Sequence, residues 1–320
     1  MSTTQQTRSP AGREGKERRM VPPAEPRSYY GRPVIKEPVW TPEIPVYFFT
    51  GGLAGASAGL AFAARVTGRK KLARVATGNA FAGVAVSPLL LISDLGVPKR
   101  FLNMLRVFKV TSPMSVGSWI ISAEGGFLAV TAAHEFLGFF PKPLARLAEG
   151  LAALFGMPLA TYTAALVANT SVPAWHEGRR ELPFAFAGGS AMAAGGAAAL
   201  LAPSEAGPAR RLAIAGALTE AISMEYSKRK MGMVAEPYST GHAGKFEKAT
   251  MACAGGGATV LLAAEIRRSR RLGIVGSALA LAGSMFGRWT VYTAGKQSAA
   301  APQYTVQPQR ERRDRDHPTS

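Results

Sequence analysis

Cysteine is nearly absent from this sequence, since Cys253 is the only one among 320 residues. A single thiol cannot close a disulfide within the chain, and it cannot supply the set of cysteines that holds an iron–sulfur cluster. Histidine is scarce as well, with four residues, and we expect only His134 to lie well inside an apolar segment. The sequence therefore predicts no metal site, no iron–sulfur cluster and no haem held by two intramembrane histidines.

Acidic residues are also few, with 20 Asp and Glu against 38 Lys and Arg and a formal net charge of +18. Such an excess could indicate nucleic acid as a partner. Here, however, the basic residues stand at the ends of apolar runs, as in "RKKLAR" and "RRSRR", where they meet lipid headgroups and oppose translocation. The pattern predicts a lipid bilayer and no nucleic acid as the partner, and it leaves open which face the tails occupy.

Long apolar runs account for the composition, which is 47% hydrophobic and 18% charged. About 20 apolar residues in a helix cross the hydrocarbon of a bilayer. We predict an all-α polytopic membrane protein with eight transmembrane helices in two bundles of about four. The predicted spans are 45–66, 73–93, 115–138, 148–169, 182–202, 210–227, 248–266 and 272–294. They define an eight-helix domain over 45–294, between a disordered or partner-bound polar tail at 1–44 and a disordered polar tail at 295–320.

The segment "DLGVPKRFLNMLRVFKVTSPMSVGSW", residues 94–119, separates the second and third spans. Gly96 and Pro98 end the second span, and a short interfacial amphipathic helix is predicted from Lys99 onwards. Its polar face would carry Lys99, Asn103 and Arg106, and its apolar face Phe101, Leu105 and Phe108. Trp119 is predicted to anchor the third span at headgroup depth.

Glycines at four-residue spacing mark the first span: Gly51, Gly55 and Gly59. Small residues at this spacing let a neighbouring helix approach closely. We therefore predict that this ridge is a helix-packing surface.

The segment after the second span resembles the NrfD/PsrC membrane anchor subunits of polysulfide-reductase and nitrite-reductase type oxidoreductases. The matching residues are Asp94, Leu95, Gly96, Pro98, Arg100 and Phe101, then Ser112, Pro113, Met114, Ser115, Gly117 and Trp119. "YTAALVANTSVPAW", from Tyr162 to Trp175, is similar to a second family segment, with Ala164 where glycine is usual. "GRWTVYTAGK" resembles the last family helix and contains Arg288. The resemblance runs from about residue 40 to 296, and eight spans is the usual number in the family.

The resemblance implies a membrane anchor that binds quinone or quinol, either menaquinone or ubiquinone, and performs no substrate chemistry itself. It implies two partners: a ferredoxin-like iron–sulfur subunit that exchanges electrons with the quinone, and a molybdopterin or other catalytic subunit. The expected location is the bacterial or archaeal cytoplasmic membrane, with multiple passes. A secondary transporter with a substrate site at the bilayer midplane is the alternative.

The resemblance also implies a quinone site among the first four helices, close to the docking face. Tyr162 resembles the family tyrosine that contacts the headgroup. The family histidine of the first span has no counterpart, and Tyr47 or Glu43 is the candidate replacement. Asp94, Arg100 and Trp119 complete the predicted quinone-binding set. Lys99, Arg100 and Arg106 are the predicted docking residues.

Ionisable residues inside the spans are candidates for proton transfer, because burying them in lipid is costly. Glu124 and His134 lie about 15 Å apart along the third span. Glu220, Glu225 and Arg288 are the candidates on later spans. Two structural alternatives remain open: Asp94 pairing with Lys99 or Arg100, and Arg288 pairing with Glu220 or Glu225 to hold helices together.

Overall fold

The computed structural model describes residues 33–316, and these residues form helices and turns without any strand. The all-α prediction is confirmed for this part of the chain. In order, the α-helices are α1 (Glu43–Val66), α2 (Lys70–Asp94), α3 (Pro113–Ala132), α4 (Lys142–Ala168), α5 (Pro173–Glu177), α6 (Leu182–Leu201), α7 (Gly207–Met231), α8 (Glu236–Ser239), α9 (Gly241–Ile266), α10 (Arg270–Ala300) and α11 (Gln303–Asp316).

Within the described residues, seven helices are long and apolar enough to cross a membrane. They are α1, α2, α3 with its π-helical extension to Leu137, α4, α6, α9 and α10. The predicted span 210–227 lies inside α7, which is helical over 25 residues but less apolar than the other seven. Seven of the predicted spans thus correspond to such helices, and the eighth stays a prediction.

Three tight turns meet at one end of the helix bundle, which we call the arginine-rich end. They are residues 67–69 after α1, 202–206 after α6 and 267–269 after α9. The turn after α6 contacts the start of α2, because Glu205 accepts a hydrogen bond of 2.9 Å from the backbone N–H of Leu72. The opposite end carries the starts of α1 and α3 and the ends of α2 and α4.

The long helices pack as two neighbouring groups that share a core. In the first group α1 packs against α2 and α4, and α3 packs against α2 and α4; in the second, α6 packs against α7 and α10, and α9 against α7 and α10. Helices α1 and α4 also pack against α6, so the groups are joined rather than separate. Ala and Gly dominate these contacts, which is why the helix axes approach closely.

The predicted glycine ridge on α1 contributes unequally to this packing. A Cβ on Gly55 would collide with the backbone carbonyl of Gly156 on α4, so Gly55 confirms the close approach. Gly51 lies near Ser87 of α2, whereas a Cβ on Gly59 would have no neighbour within 4 Å. The ridge therefore packs at its first two glycines.

The segment after α2 forms a 3₁₀ helix over Pro98–Leu105. A short helix was predicted here, and one is present, but it ends at Leu105, so the predicted face residues Arg106 and Phe108 lie beyond it. Phe108 packs edge-on against Trp119, with ring centroids 6.2 Å apart.

The terminal segments differ from the predicted tails where the structure describes them. Most of the predicted tail 1–44 lies outside the described residues, and α1 begins at Glu43. In the predicted tail 295–320, α10 continues to Ala300 and α11 follows. The last turns of α10 are helical because they are buried against α5: the Trp175 indole lies on Gly295, and Ser298 Oγ accepts a 3.3 Å hydrogen bond from Ala174 N–H.

Candidate functional site

Two tyrosines meet near the opposite end of the bundle. Tyr47 lies about one turn into α1, and Tyr162 lies about two turns before the end of α4. Their ring centroids are 6.5 Å apart, with an interplanar angle of 63°. The Tyr162 ring packs directly on Gly117 of α3, where any Cβ would collide with it. Three helices therefore converge on this tyrosine pair.

The Tyr47 hydroxyl is fully buried and has no hydrogen-bond partner among the described residues. A buried hydroxyl without a partner costs about 1–3 kcal/mol, so a native structure rarely retains one without a reason. No other group in the described residues competes for this oxygen. This feature separates Tyr47 from Tyr292, whose hydroxyl donates to the Trp40 carbonyl at 2.6 Å.

Asp94 lies at the end of α2, at the same end of the bundle as the tyrosine pair. Its carboxylate accepts a 3.0 Å hydrogen bond from the Thr41 backbone N–H and a second bond from the Thr41 hydroxyl. These bonds offset the unfavourable position of a carboxylate at a helix C-terminus. Asp94 thereby ties the chain before α1 to the end of α2. Glu43, the alternative to Tyr47, lies in the first turn of α1.

Glu124 lies deeper on α3, on the face that also carries Gly117. Two turns of helix, about 10 Å, separate the two residues. The side chain is completely buried, and neither carboxylate oxygen has a hydrogen-bond partner in the described structure. An ionisable group in this position is a candidate for holding a proton rather than for stabilising the fold.

His134 lies away from the middle of the span in which it was predicted. It belongs to the π-helical turn Ala133–Leu137 that ends α3 at the arginine-rich end. Its Nδ1 lies 3.0 Å from the Phe140 carbonyl oxygen. The prediction that His134 lies well inside the span is wrong, because the left-handed Gly138, with φ +74°, ends the helix and leaves His134 in its last turn.

A partly buried ion-pair cluster beside His134 was not predicted from the sequence. Arg65 of α1 contacts Glu149 of α4 at 2.8 Å and Glu135 at 2.9 Å, and Arg146 contacts Glu149 at 2.9 Å. Glu149 lies inside the predicted span 148–169 but was not among the candidate ionisable residues. The helix begins at Lys142, two turns before Glu149, so Arg146 and Glu149 lie on the same helix one turn apart.

A second polar site lies in the other helix group, around Arg288 of α10. This side chain is 1% exposed, and its guanidinium donates to the Phe186 carbonyl at 2.8 Å and to Ser190 Oγ at 3.1 Å. It also lies over the Phe186 ring, 4.1 Å from the centroid. Glu220 of α7 approaches it across Gly189, whose missing Cβ would lie 3.0 Å from both side chains. The two residues make no direct ion pair in the described residues.

An apolar cavity of about 330 Å³ adjoins this second site, between α6, α7, α9 and α10. Glu220 Oε2 and Arg288 Nε are buried without hydrogen-bond partners at its inner side. Glu225 lies at the exposed rim of the cavity, where it pairs with Arg229 at 2.8 Å and Lys228 at 3.4 Å. The structure thus brings Glu220 and Arg288 together and leaves Glu225 at the surface.

The remaining predicted site residues are on the outside of the protein. Lys99, Arg100 and Arg106 are exposed on and beside the 3₁₀ helix, with Arg106 bonded to Asn103 at 3.3 Å. Trp119 is 40% exposed against Phe108. These positions suit contact with a partner or with lipid, and they place Arg100 and Trp119 at the periphery of the tyrosine pair.

Among the described residues, no group of three or more His, Cys, Asp or Glu side chains could hold a metal ion. A family model described as "Polysulphide reductase, NrfD" matches residues 34–211, which is more than half of the chain. The chain belongs to the NrfD family. The match includes all of α1–α4, and with them Tyr47, Asp94, Glu124 and Tyr162. No curated protein matches the sequence.

Membership in the NrfD family indicates the kind of complex in which the tyrosine pair lies. NrfD proteins are membrane subunits of polysulfide and nitrite reductase-type complexes; in general they interact with quinone and associate with iron–sulfur and catalytic subunits. The seven apolar helices and the family together make this chain a multi-pass membrane protein.

Proposed function

We propose that this NrfD protein binds quinone or quinol between α1, α3 and α4, and that it passes electrons between the quinone pool and an iron–sulfur partner. The observation that carries the proposal is the Tyr47 hydroxyl, which is buried without a partner among the described residues. The ring of Tyr47 lies 6.5 Å from the ring of Tyr162, measured between centroids. Menaquinone and ubiquinone both present a flat aromatic head with two oxygens. A hydroxyl donor beside an aromatic ring matches that chemistry.

The chain's own residues divide the work at this site. Tyr47 supplies a hydrogen bond to one oxygen of the head, and the Tyr162 ring, fixed by Gly117, provides an aromatic wall. Asp94 and Thr41 hold the end of the site closed. Bound quinol supplies two electrons and two protons when it is oxidised, so the site also needs groups that accept protons.

Glu124 is the group best placed for that role, because it is buried on the same face of α3 and has no competing partner. Beyond it, α3 leads towards His134 and the ion pairs of Arg65 at the arginine-rich end. We assign Glu124 to proton transfer and His134 to the outer end of the same helix. In the second group, Glu220 and Arg288 adjoin a cavity that leads to Glu225 at the surface.

We further propose that α7 is the eighth span, so that the chain forms two bundles of four. Helix α6 ends beside Leu72 at the arginine-rich end, because Glu205 bonds to that residue. Helix α9 begins at the opposite end, because Ala243 N–H donates to the Gln297 side chain near the end of α10. Helix α7 connects these two ends and must cross the same thickness as its neighbours.

Docking is assigned to the opposite end, close to the tyrosine pair. Lys99, Arg100 and Arg106 offer exposed positive charge there, which suits an acidic surface on a ferredoxin-like iron–sulfur subunit. A molybdopterin or other catalytic subunit would exchange electrons with the quinone pool through that partner. The proposed location is the cytoplasmic membrane of a bacterium or archaeon.

The direct test is a pair of tyrosine variants in the complex purified from its host. Tyr47→Phe removes a hydroxyl that bonds nothing in the described protein, so the thermal unfolding temperature of the quinone-free complex should stay the same or rise. Quinone content should fall on the order of tenfold, because a buried hydrogen bond to the ligand is lost. Tyr292→Phe is the matched control: it loses the bond to Trp40 and about 1 kcal/mol of stability, yet it should keep its quinone. Unchanged quinone content in Tyr47→Phe would contradict the site.

A midplane transporter is the alternative, and one observation favours it: the cavity beside Glu220 and Arg288. A transporter would lose solute uptake into proteoliposomes on Glu220→Gln and would contain no quinone. An electron-transfer anchor would keep its quinone in the same variant. Measuring both in one preparation separates the two functions.

A further inference from the structure

The three turns of the arginine-rich end border an open polar pocket of about 540 Å³. Four arginines and two glutamates line it: Arg69, Arg210, Arg268, Arg270, Glu205 and Glu265. Both carboxylates already have protein partners. Glu205 accepts from Leu72 N–H at 2.9 Å, and Glu265 pairs with Arg210 at 3.4 Å.

The other three arginines of the pocket, Arg69, Arg268 and Arg270, make no ion pair within the described chain. Helices α2, α7 and α10 also begin at this pocket, and their N-termini add positive potential. The pocket therefore concentrates positive charge that the protein itself does not neutralise. Since it lies where spans end, its natural anions are those of the membrane surface.

The turns at 67–69 and 267–269 have the same backbone conformation, and the comparison shows that the left-handed position is occupied by glycine in one and by Arg268 in the other. Arg69 N–H bonds to the Ala64 carbonyl at 2.8 Å, and Ser269 N–H bonds to the Ala264 carbonyl at 3.1 Å. The residue before each donor is left-handed: Gly68 has φ +75° and Arg268 has φ +50°. Glycine adopts this conformation freely, whereas arginine does so at a cost. Arg268 keeps its side chain despite this conformational cost, and that side chain lines the pocket.

From the pocket and this left-handed arginine, we propose that the arginine-rich end binds a phosphate ester, with Arg268 and Arg270 as principal ligands. Guanidinium groups bind phosphate oxygens through paired, charge-assisted hydrogen bonds. An anionic phospholipid headgroup and a soluble phosphate share this chemistry. The site lies at the end of the bundle away from the tyrosine pair and is independent of the quinone proposal.

The test uses the purified complex, native mass spectrometry and thermal unfolding, with three probes: dioctanoyl phosphatidylglycerol, dioctanoyl phosphatidylcholine and inorganic phosphate. Arg268→Gly is the decisive variant, because it relieves the left-handed strain while removing the guanidinium. Its unfolding temperature without ligand should equal or exceed that of the unchanged protein. Its affinity for phosphatidylglycerol should fall on the order of tenfold.

Arg267→Gln is the matched control, since Arg267 is exposed on the same turn and does not line the pocket. It should bind phosphatidylglycerol normally, and Arg270→Gln should behave like Arg268→Gly. Preference for phosphatidylglycerol over phosphatidylcholine, with this arginine dependence, supports a lipid ligand. Inorganic phosphate that competes with phosphatidylglycerol and needs the same arginines supports the phosphate site with a soluble source. Equal weakening by Arg267→Gln and Arg268→Gly, or no weakening by either, would overturn the proposal.

Discussion

The two helix groups bury polar side chains under different conditions. In the first group, Tyr47 and Glu124 are buried, and their side-chain oxygens have no partner in the described residues. In the second, Arg288 is held by the Phe186 carbonyl, by Ser190 and by the Phe186 ring, although its Nε, Glu220 Oε2 and the hydroxyls of Ser227 and Ser277 have no partner in that part of the chain. The unpartnered oxygens of the first group fit the ligand site proposed above, and the fixed guanidinium of the second group fits a role in holding helices together.

Arg288→Met should give the largest change in stability. It removes two hydrogen bonds and leaves Glu220 buried without its nearest positive charge, which costs about 3–5 kcal/mol in free energy of unfolding. Thermal or denaturant unfolding in detergent measures this loss. Adding Glu220→Gln to the variant should recover part of it, because the isolated charge is removed. A loss below about 1 kcal/mol would mean that Arg288 is not the structural centre of the second group.

Gly117→Ala should lower turnover at the proposed quinone site, because it displaces Tyr162. The new methyl group would overlap the tyrosine ring, so the ring must move. A shift of about 1 Å at a reacting site can lower turnover on the order of a hundredfold. Quinol-linked reduction of the partner cluster measures the effect.

Gly126→Ala is the control for that variant, on the same helix and with no neighbour within 4 Å of the added methyl group. It should retain full turnover and gain a few tenths to about 1 kcal/mol of stability. Equal turnover in the two variants would show that the Tyr162 position does not matter.

Glu124→Gln should lower turnover about tenfold or more, while quinone binding and stability stay unchanged. The substitution keeps the shape of the side chain, and no hydrogen bond within the described residues is lost. Glu149→Gln gives the contrasting result: it weakens the bonds to Arg65 and Arg146 and should lower stability instead. If Glu124→Gln kept normal turnover, the proton role of this residue would be wrong.

The smallest effect is expected at the docking residues. Lys99→Gln combined with Arg106→Gln should weaken partner association by a few-fold and reduce its dependence on salt, because each exposed charge contributes about 0.2–1 kcal/mol. Co-purification at increasing ionic strength tests this. Lys70→Gln combined with Lys71→Gln is the matched control, because both lysines are exposed at the arginine-rich end, away from the assigned docking face. The same loss in that variant would remove the assignment.

The sequence predicted the helices better than the contacts between them. Apolar length located seven of the spans, and the segment from Asp94 to Trp119 identified the family. Hydropathy was least informative for α7, whose charged residues lie among apolar ones. It could not reveal that Tyr47 meets Tyr162, because that contact depends on Gly117 and on the crossing of three helices.

Polar pairings were the least predictable part. Asp94 was expected to be close to Lys99 or Arg100 because those residues are near it in sequence, yet its partner Thr41 precedes it by a whole helical hairpin. The cluster around Arg65 joins three separate segments in the same way. Such contacts are set by helix register and by which faces meet, neither of which follows from a single sequence.

The most direct measurement is photo-crosslinking with an azido-quinone in native membranes, followed by mapping of the labelled peptides. If quinone binds at the tyrosine pair, the label will be on α1 and α4, within about two turns of Tyr47 and Tyr162, and excess quinone will prevent it. Label on α6 and α9 beside the cavity, around Phe186 and Met251, with α1 and α4 unlabelled, would contradict the assignment.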